Sequence, residues 1–245
     1  MAEECRIALV TGAAKRIGRA IAVALAQDGC DVAIHYNTSL EDAEVTAGLV
    51  REQGRRTVVL NADLADAEAT ATLARRTVEA LGGLNILVNN ASGFDAMALN
   101  DFRLGPWNAT LAVNLTAPMI LSHAAYPYLC AGGAGQIVNI LDIAAERPGP
   151  EHLAYSVAKA GLSNLTLALA KAMAPDVRVN GVAPGAALLP EGADPPAIKA
   201  ITRRIPAMRL GTAEEIAAAV RFMACRASYV TGSVLNVDGG RSIAW

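Results

Sequence analysis

The chain has 245 residues, of which 53% are hydrophobic and only 4% aromatic, and its formal net charge is −2. That length suits one large α/β domain or two small ones, and a core of Ala, Val, Leu and Ile suits a parallel sheet buried on both faces. The charge excludes a global basic field for nucleic acid, no run of about 18 apolar residues offers a membrane span, and the acidic start MAEECRIALV is unlike a signal peptide.

Cys5, Cys30, Cys130 and Cys225 are scattered and form no C-x-x-C, and His35, His123 and His152 share no metal-ligand spacing. Neither a zinc site nor a disulfide framework is expected, and a cytoplasmic location fits.

The apolar run Cys5–Val10 predicts a first strand, followed by Thr11-Gly12-Ala13-Ala14-Lys15-Arg16-Ile17-Gly18 and an Ala-rich helix to Gln27. Strand, Gly-rich turn and helix in that order make an anion site, because a helix N-terminus offers unsatisfied N–H groups and a positive dipole end. Gly12 permits the tight turn and Gly18 the close approach of helix to strand.

A second strand, Asp31–Tyr36, ends in His35-Tyr36-Asn37-Thr38-Ser39. A site for NAD usually carries an acid there for the adenosine ribose hydroxyls. Here hydroxyl and amide donors stand beside Lys15 and Arg16, a set that suits the 2′-phosphate of NADP. Thr38 and Ser39 also suit helix capping before Glu41 and Asp42.

Further on come a helix from about Leu40 to Gln53, a strand Thr57–Asn61, the turn Ala62-Asp63-Leu64 and a helix to Leu81. The strand Asn85–Asn89 runs into Asn90-Ala91-Ser92. Strands alternating with helices of ten to fifteen residues predict parallel βαβ units. A long helix from about Pro106 to Leu129 carries Asn114 in an apolar stretch, read as a polar kink holding a water near Lys159, since a buried amide needs partners.

The stretch Ile137–Gly161 predicts a buried strand ending near Asp142, a loop, and a helix bearing Tyr155 and Lys159. Residues four apart share a helix face, so the lysine ammonium is expected to lower the tyrosine pKa toward working pH and make it a tuned proton donor. A strand Val177–Val182 precedes Ala183-Pro184-Gly185. Residues 186–206, broken by Pro190, Pro195 and Pro196, are expected to form a substrate lid. A helix Ala213–Met223 and a strand Ser233–Val237 close the chain. No linker, repeat or low-complexity tract divides it, so residues 1–245 are read as one domain.

In this order, the T-G-x-x-x-x-x-G turn, Asp63-Leu64, Asn89-Asn90-Ala91, Asn114, Tyr155-x-x-x-Lys159, Pro184-Gly185 and Val237-Asp238-Gly239-Gly240 resemble the short-chain dehydrogenase/reductase family over nearly the whole chain. The resemblance implies a Rossmann-type, doubly wound, seven-stranded parallel sheet with helices on both faces, NAD(P) chemistry, and a homotetramer or dimer. It implies cofactor contacts from Gly12, Lys15–Gly18, His35–Ser39, Asp63, Leu64, Asn90, Ala91, Ser92, Tyr155, Lys159, Pro184 and Gly185.

Arg16, Ser92 and Asp142 stand where most members carry Gly, Gly and Ser. With Phe94, they match pteridine reductases and the bacterial dihydromonapterin or dihydrofolate reductases, as does Pro184–Glu191 (PGAALLPE). A pterin or folate substrate touching Arg16, Ser92, Phe94, Asp142, Tyr155 and Leu188 follows from that likeness. The local N-N-A-S-G-F-D departs from the usual N-N-A-S-S-F-Y at Gly93 and Asp95, where side-chain recognition would differ.

The chemistry agrees. An ionised Asp only accepts hydrogen bonds. It would repel the alkoxide of a ketone reduction, yet it can orient the N–H donors of a pterin reduced at C=N. A carbonyl reductase of 3-oxoacyl thioesters is the second reading, with Arg203, Arg204 and Arg209 as basic candidates for an acyl carrier. A weakly catalytic NADP-sensing protein is the third.

Overall fold

The computed structural model describes residues 6–187 and 194–244. Seven strands, β1 (Ile7–Val10), β2 (Asp31–Tyr36), β3 (Thr57–Asn61), β4 (Ile86–Asn89), β5 (Gly135–Ile140), β6 (Val177–Pro184) and β7 (Val234–Val237), form one sheet in the order β3-β2-β1-β4-β5-β6-β7. Every neighbouring pair is parallel, with Val10 paired to Ile34 on one side and to Val88 on the other.

Side chains of a strand alternate between faces, and here both faces are covered. Ala8 and Val10 point into a core with Ile21 and Leu25 of α1 (Arg16–Gln27), Val50 of α2 (Leu40–Glu52), and Ile216 and Val220 of α8 (Ala213–Cys225). Ile7 and Leu9 point the other way. There they meet Leu73 of α3 (Ala67–Leu81), Leu121 and Leu129 of α5 (Ala117–Ala131), and Leu169 of α6 (Leu153–Ala172). No helix among the described residues is long and apolar enough to cross a membrane, and none of their His, Cys, Asp and Glu side chains group into a metal site.

Two elements differ from the sequence expectation. The helix expected over Pro106–Leu129 is α4 (Leu104–Leu111), a π-helical turn (Ala112–Thr116) and α5. The wide turn is centred on Asn114, the kind of single π-bulge that kinks helices at functional positions. Within the expected lid lies α7 (Pro195–Thr202), whose prolines occupy its first positions. Proline lacks an N–H that a first turn leaves unbonded anyway, so it starts this helix rather than breaking it. The rest of the expected lid, with Leu188, falls partly outside the described residues.

Candidate active site

The strand order reverses direction between β1 and β4, the position where open parallel sheets bind ligands beyond their carboxyl ends. A cavity of about 1020 Å³ opens there, with a largely apolar lining. It brings together Arg16, Ile17, Asn90, Ser92, Phe94, Asp142, Tyr155, Lys159, Pro184 and Gly185, all singled out from the sequence.

The loops on the β1 side are packed too tightly for side chains. Gly12 has φ +60°, and a Cβ on it would lie 2.9 Å from Ala91 Cα. A Cβ on Gly18 would stand 2.1 Å from the Gly12 carbonyl oxygen. Thr11 and Asn90 hold the loops together. Thr11 Oγ1 accepts from the N–H of Asn90 and Ala91 at 2.9 and 3.0 Å, and Asn90 Nδ2 donates to the carbonyls of Thr11 and Gly12 at 2.7 and 3.1 Å.

The N-cap of α1, Lys15, makes no capping bond with its side chain, and the first turn carries no acid. Unsatisfied N–H groups beside close-packed glycine backbone suit a dinucleotide pyrophosphate. Lys15 is 55% exposed and 4.0 Å from Asp42 Oδ2. Ser39, the N-cap of α2, leaves its hydroxyl without a capping bond. Lys15, Tyr36, Asn37, Thr38 and Ser39 do not line the cavity. Asp63 is exposed and its Oδ1 accepts from Ala65 N–H at 2.9 Å, while Leu64 is buried.

His35 corrects its expected role. Its ring is 1% exposed, with Nδ1 accepting from Gly12 N–H at 3.1 Å and Nε2 at 3.1 Å from the Ala62 carbonyl oxygen. That pair of partners requires the neutral ring with its proton on Nε2, and burial pushes the imidazole pKa down to about 4. His35 therefore shapes the glycine loop from behind instead of offering a donor to a cofactor.

On the β5 side, Asp142 caps a 3₁₀ turn (Ile143–Ala145), its Oδ1 accepting from Ala144 N–H at 2.7 Å. Its Oδ2 accepts from Tyr155 Oη at 2.8 Å. Lys159 is wholly buried, donates from Nζ to the Ile140 carbonyl at 2.8 Å, and stands 5.5 Å from the centre of the Tyr155 ring.

This arrangement reverses the expected tuning of the phenol. Burial and the Asp142 carboxylate, which repels a phenolate and bonds the phenol, raise the Tyr155 pKa above its ordinary value; Ser92 works weakly against them. Lys159 is itself pushed down to about 8 by burial, with Asp142 opposing that shift. Tyr155 is therefore a firmly protonated hydroxyl at neutral pH, oriented by a carboxylate.

Asn114 lies behind this group, at the kink expected for it. Its Oδ1 accepts from Ser92 Oγ at 2.6 Å, and its Nδ2 donates to the carbonyls of Gly93 and Thr110 at 3.1 and 3.0 Å. The amide is spent on positioning the loop after β4, while Lys159 is held by Ile140.

Phe94 is 61% exposed, stacks on His152 at 4.0 Å between ring centres, and meets Tyr155 edge-on at 4.7 Å. His152 was missed, because its spacing was weighed only for metal ligation. Its position three residues before Tyr155, at the entry to the same helix, was the available signal. Met97 backbone bonds to Glu151 and Leu153 tie the Phe94 loop to that entry.

Arg16 has φ 56°, the left-handed region that bulky residues avoid. A residue held there costs of order 1–3 kcal/mol and persists only where its surroundings impose it. This explains why glycine is usual at this position in the family that the chain resembles. The backbone needs the left-handed turn, and the guanidinium is a departure that places a side chain in the cavity.

Residues 12–242 match the family described as enoyl-(acyl carrier protein) reductase. The chain is 34% identical over 240 residues to a 3-oxoacyl-[acyl-carrier-protein] reductase of Synechocystis sp., with 96% of each covered. It is 37% identical over 240 residues to a cis-4-hydroxycyclohexanecarboxylate dehydrogenase of Sinomonas cyclohexanicum, again with 96% of each covered. Among solved structures, the FolM alternative dihydrofolate reductase 1 of Brucella canis, complexed with NADP, superposes with a TM-score of 0.92. It is 34% identical, and the match covers 100% of this chain and 96% of that one.

Proposed function

The chain belongs to the short-chain dehydrogenase/reductase family, and from that membership we propose that it is an NADPH-dependent reductase of pterins, with dihydropterin and dihydrofolate as candidate substrates. The observation that carries this reading is the 2.8 Å hydrogen bond from Tyr155 Oη to Asp142 Oδ2. A carboxylate at that point opposes a developing alkoxide, whereas it accepts from the N–H groups of a pterin.

When bound, NADPH supplies the hydride that adds to the carbon of C=N. The chain's own residues supply the proton and the orientation. Tyr155 holds a proton at Oη for the ring nitrogen, so that one hydride and one proton saturate the bond. Asp142 steers that hydroxyl and accepts ring donors. Buried Lys159 places a positive charge beneath the Tyr155 ring and is the candidate contact to the nicotinamide ribose. Ser92, fixed by Asn114, presents its backbone to the cofactor, and Phe94 offers an aromatic face to a flat ring.

The 2′-phosphate assignment rests on Lys15, Asn37, Thr38 and Ser39 and on the absence of an acid at the end of β2. The expected result is NADPH binding at least about tenfold tighter than NADH, about 1.4 kcal/mol. A fluorescence titration giving equal affinities would overturn the assignment.

Likeness to the 3-oxoacyl reductase supports a second reading, reduction of a ketone in an acyl thioester. Following NADPH oxidation with dihydrobiopterin, dihydrofolate and an acetoacetyl thioester side by side separates the two. Turnover of the thioester alone would reverse their order.

A homotetramer is proposed on the exposed apolar residues Met119 of α5 and Val157 and Leu167 of α6, which leave those helix faces open. Light scattering at micromolar concentration is expected to give four times the chain mass, and a stable monomer would reject the assembly.

A further inference from the structure

The cavity is far more basic than the chain. Among the described residues, Arg16, Arg147, Lys159, Arg204 and Arg241 line it against two carboxylates, Asp142 and Glu151, in a protein of net charge −2. Outside the cavity, Arg19, Arg51, Arg56, Arg75, Arg209 and Arg226 each face an Asp or Glu, while Arg76, Arg103, Arg178, Arg203 and Arg221 form no ion pair among the described residues. No ion pair of that kind engages Arg147, Arg204 or Arg241 among the described residues.

These three come from separate parts of the chain. Arg147 follows the turn that Asp142 caps, Arg204 follows α7, and Arg241 begins a 3₁₀ turn (Arg241–Ile243) after β7. All follow β5, β6 or β7, on the opposite side of the strand reversal from the glycine loop of β1 and the end of β2. Arg147 and Arg204 are exposed and Arg241 is half-buried, whereas Tyr155, which lines the same cavity, is buried.

A pterin ring carries no negative charge that would use these three guanidinium groups. Clustered cations with few counter-charges raise the local potential and draw in anions, and guanidinium forks match carboxylates bidentately. We propose that Arg147, Arg204 and Arg241 form an anion subsite that takes the carboxylate tail of a folate-type substrate, leaving the ring to Asp142 and Tyr155. The proposal rests on the pterin reading given above and names the form of pterin that the site prefers, one bearing glutamate.

The test uses the full chain with R147Q/R204Q, both at exposed positions, and the triple change adding R241Q, with folding checked by circular dichroism. In the triple variant, KM for dihydrofolate is expected to rise about tenfold, as for several partly exposed ion pairs lost together. KM for dihydrobiopterin, which has no carboxylate, and the NADPH dissociation constant are expected to hold. At saturating NADPH, added salt should raise KM for dihydrofolate and leave that for dihydrobiopterin nearly unchanged. Equal effects on both pterins, or no effect on either, overturn the proposal. A parallel loss of NADPH affinity also overturns it and assigns the arginines to cofactor phosphates.

Failure of wild-type enzyme to reduce any pterin would sink the reaction reading instead. The subsite is then judged without turnover, by calorimetric binding of para-aminobenzoyl-triglutamate. Binding lost in the triple variant supports it, and binding absent or unchanged overturns it. Sensitivity of acetoacetyl-coenzyme A alone to these changes overturns it in favour of a phosphate ligand.

Discussion

Tyr155→Phe is expected to lower dihydropterin turnover by roughly 10²–10⁴-fold, the usual contribution of a positioned acid, with NADPH still bound. The substitution removes one oxygen and keeps the ring, so the edge contact with Phe94 and the placement over Lys159 survive. What disappears is the hydroxyl that donates to Asp142 and stores the proton. Single-turnover kinetics with NADPH and dihydrobiopterin read the effect, and normal turnover would reduce Tyr155 to a packing residue.

The pH profile of the wild type tests the same machinery. Tyr155, with its pKa raised, keeps its proton through the neutral and mildly alkaline range. Lys159 loses its charge near pH 8, so activity is expected to fall as pH rises through about 8. Stability should move the other way over this window. The folded state releases the Lys159 proton near pH 8 while the unfolded chain holds it to about 10.5. Between those values the unfolded state binds more protons, and this group's contribution to stability rises with pH. Loss of rate near pH 8 without loss of melting temperature is the signature.

Asp142→Ser is the second large effect, expected to lower kcat/KM for dihydrobiopterin about 10²-fold while leaving NADPH binding nearly unchanged. Serine is itself a good N-cap, so the turn held by the Asp142–Ala144 bond should persist. The carboxylate that orients Tyr155 and accepts ring donors would be gone, replaced by a hydroxyl that can donate. Reduction of a simple activated ketone is therefore expected to rise from a trace. Asp142 also holds the Lys159 pKa up, so the alkaline fall in rate should shift to lower pH in the variant. Undiminished pterin turnover would show the carboxylate to be incidental and would move the carbonyl reductase reading ahead.

The sequence by itself determined the layout of this protein. Alternation of apolar strands with Ala-rich helices specified a parallel sheet covered on both faces, because period and length are local properties of the chain. The glycines of the first turn, Tyr155 and Lys159 one helical turn apart, and Asp142 at a strand end were all legible from spacing alone.

Tertiary structure decided what those groups do to one another. Lys159 sits one turn from Tyr155, yet its ammonium turns to the Ile140 carbonyl, and Asp142, thirteen residues away in the chain, takes the phenol. The sign of the tyrosine shift was lost with it, since desolvation depends on what packs around a group and not on its neighbours in sequence. Asn114 was expected at a kink, and only the fold shows its amide bonded to Ser92 and Gly93. His35, one position from the strand's polar end, is enclosed because both faces of β2 are covered by packed elements, and its ring bonds Gly12 and Ala62 there. His152 joined the site through Phe94. The basic lining has the same origin: Arg147, Arg204 and Arg241 are far apart in the chain and line one cavity because parallel strands all deliver their following loops to one edge of the sheet.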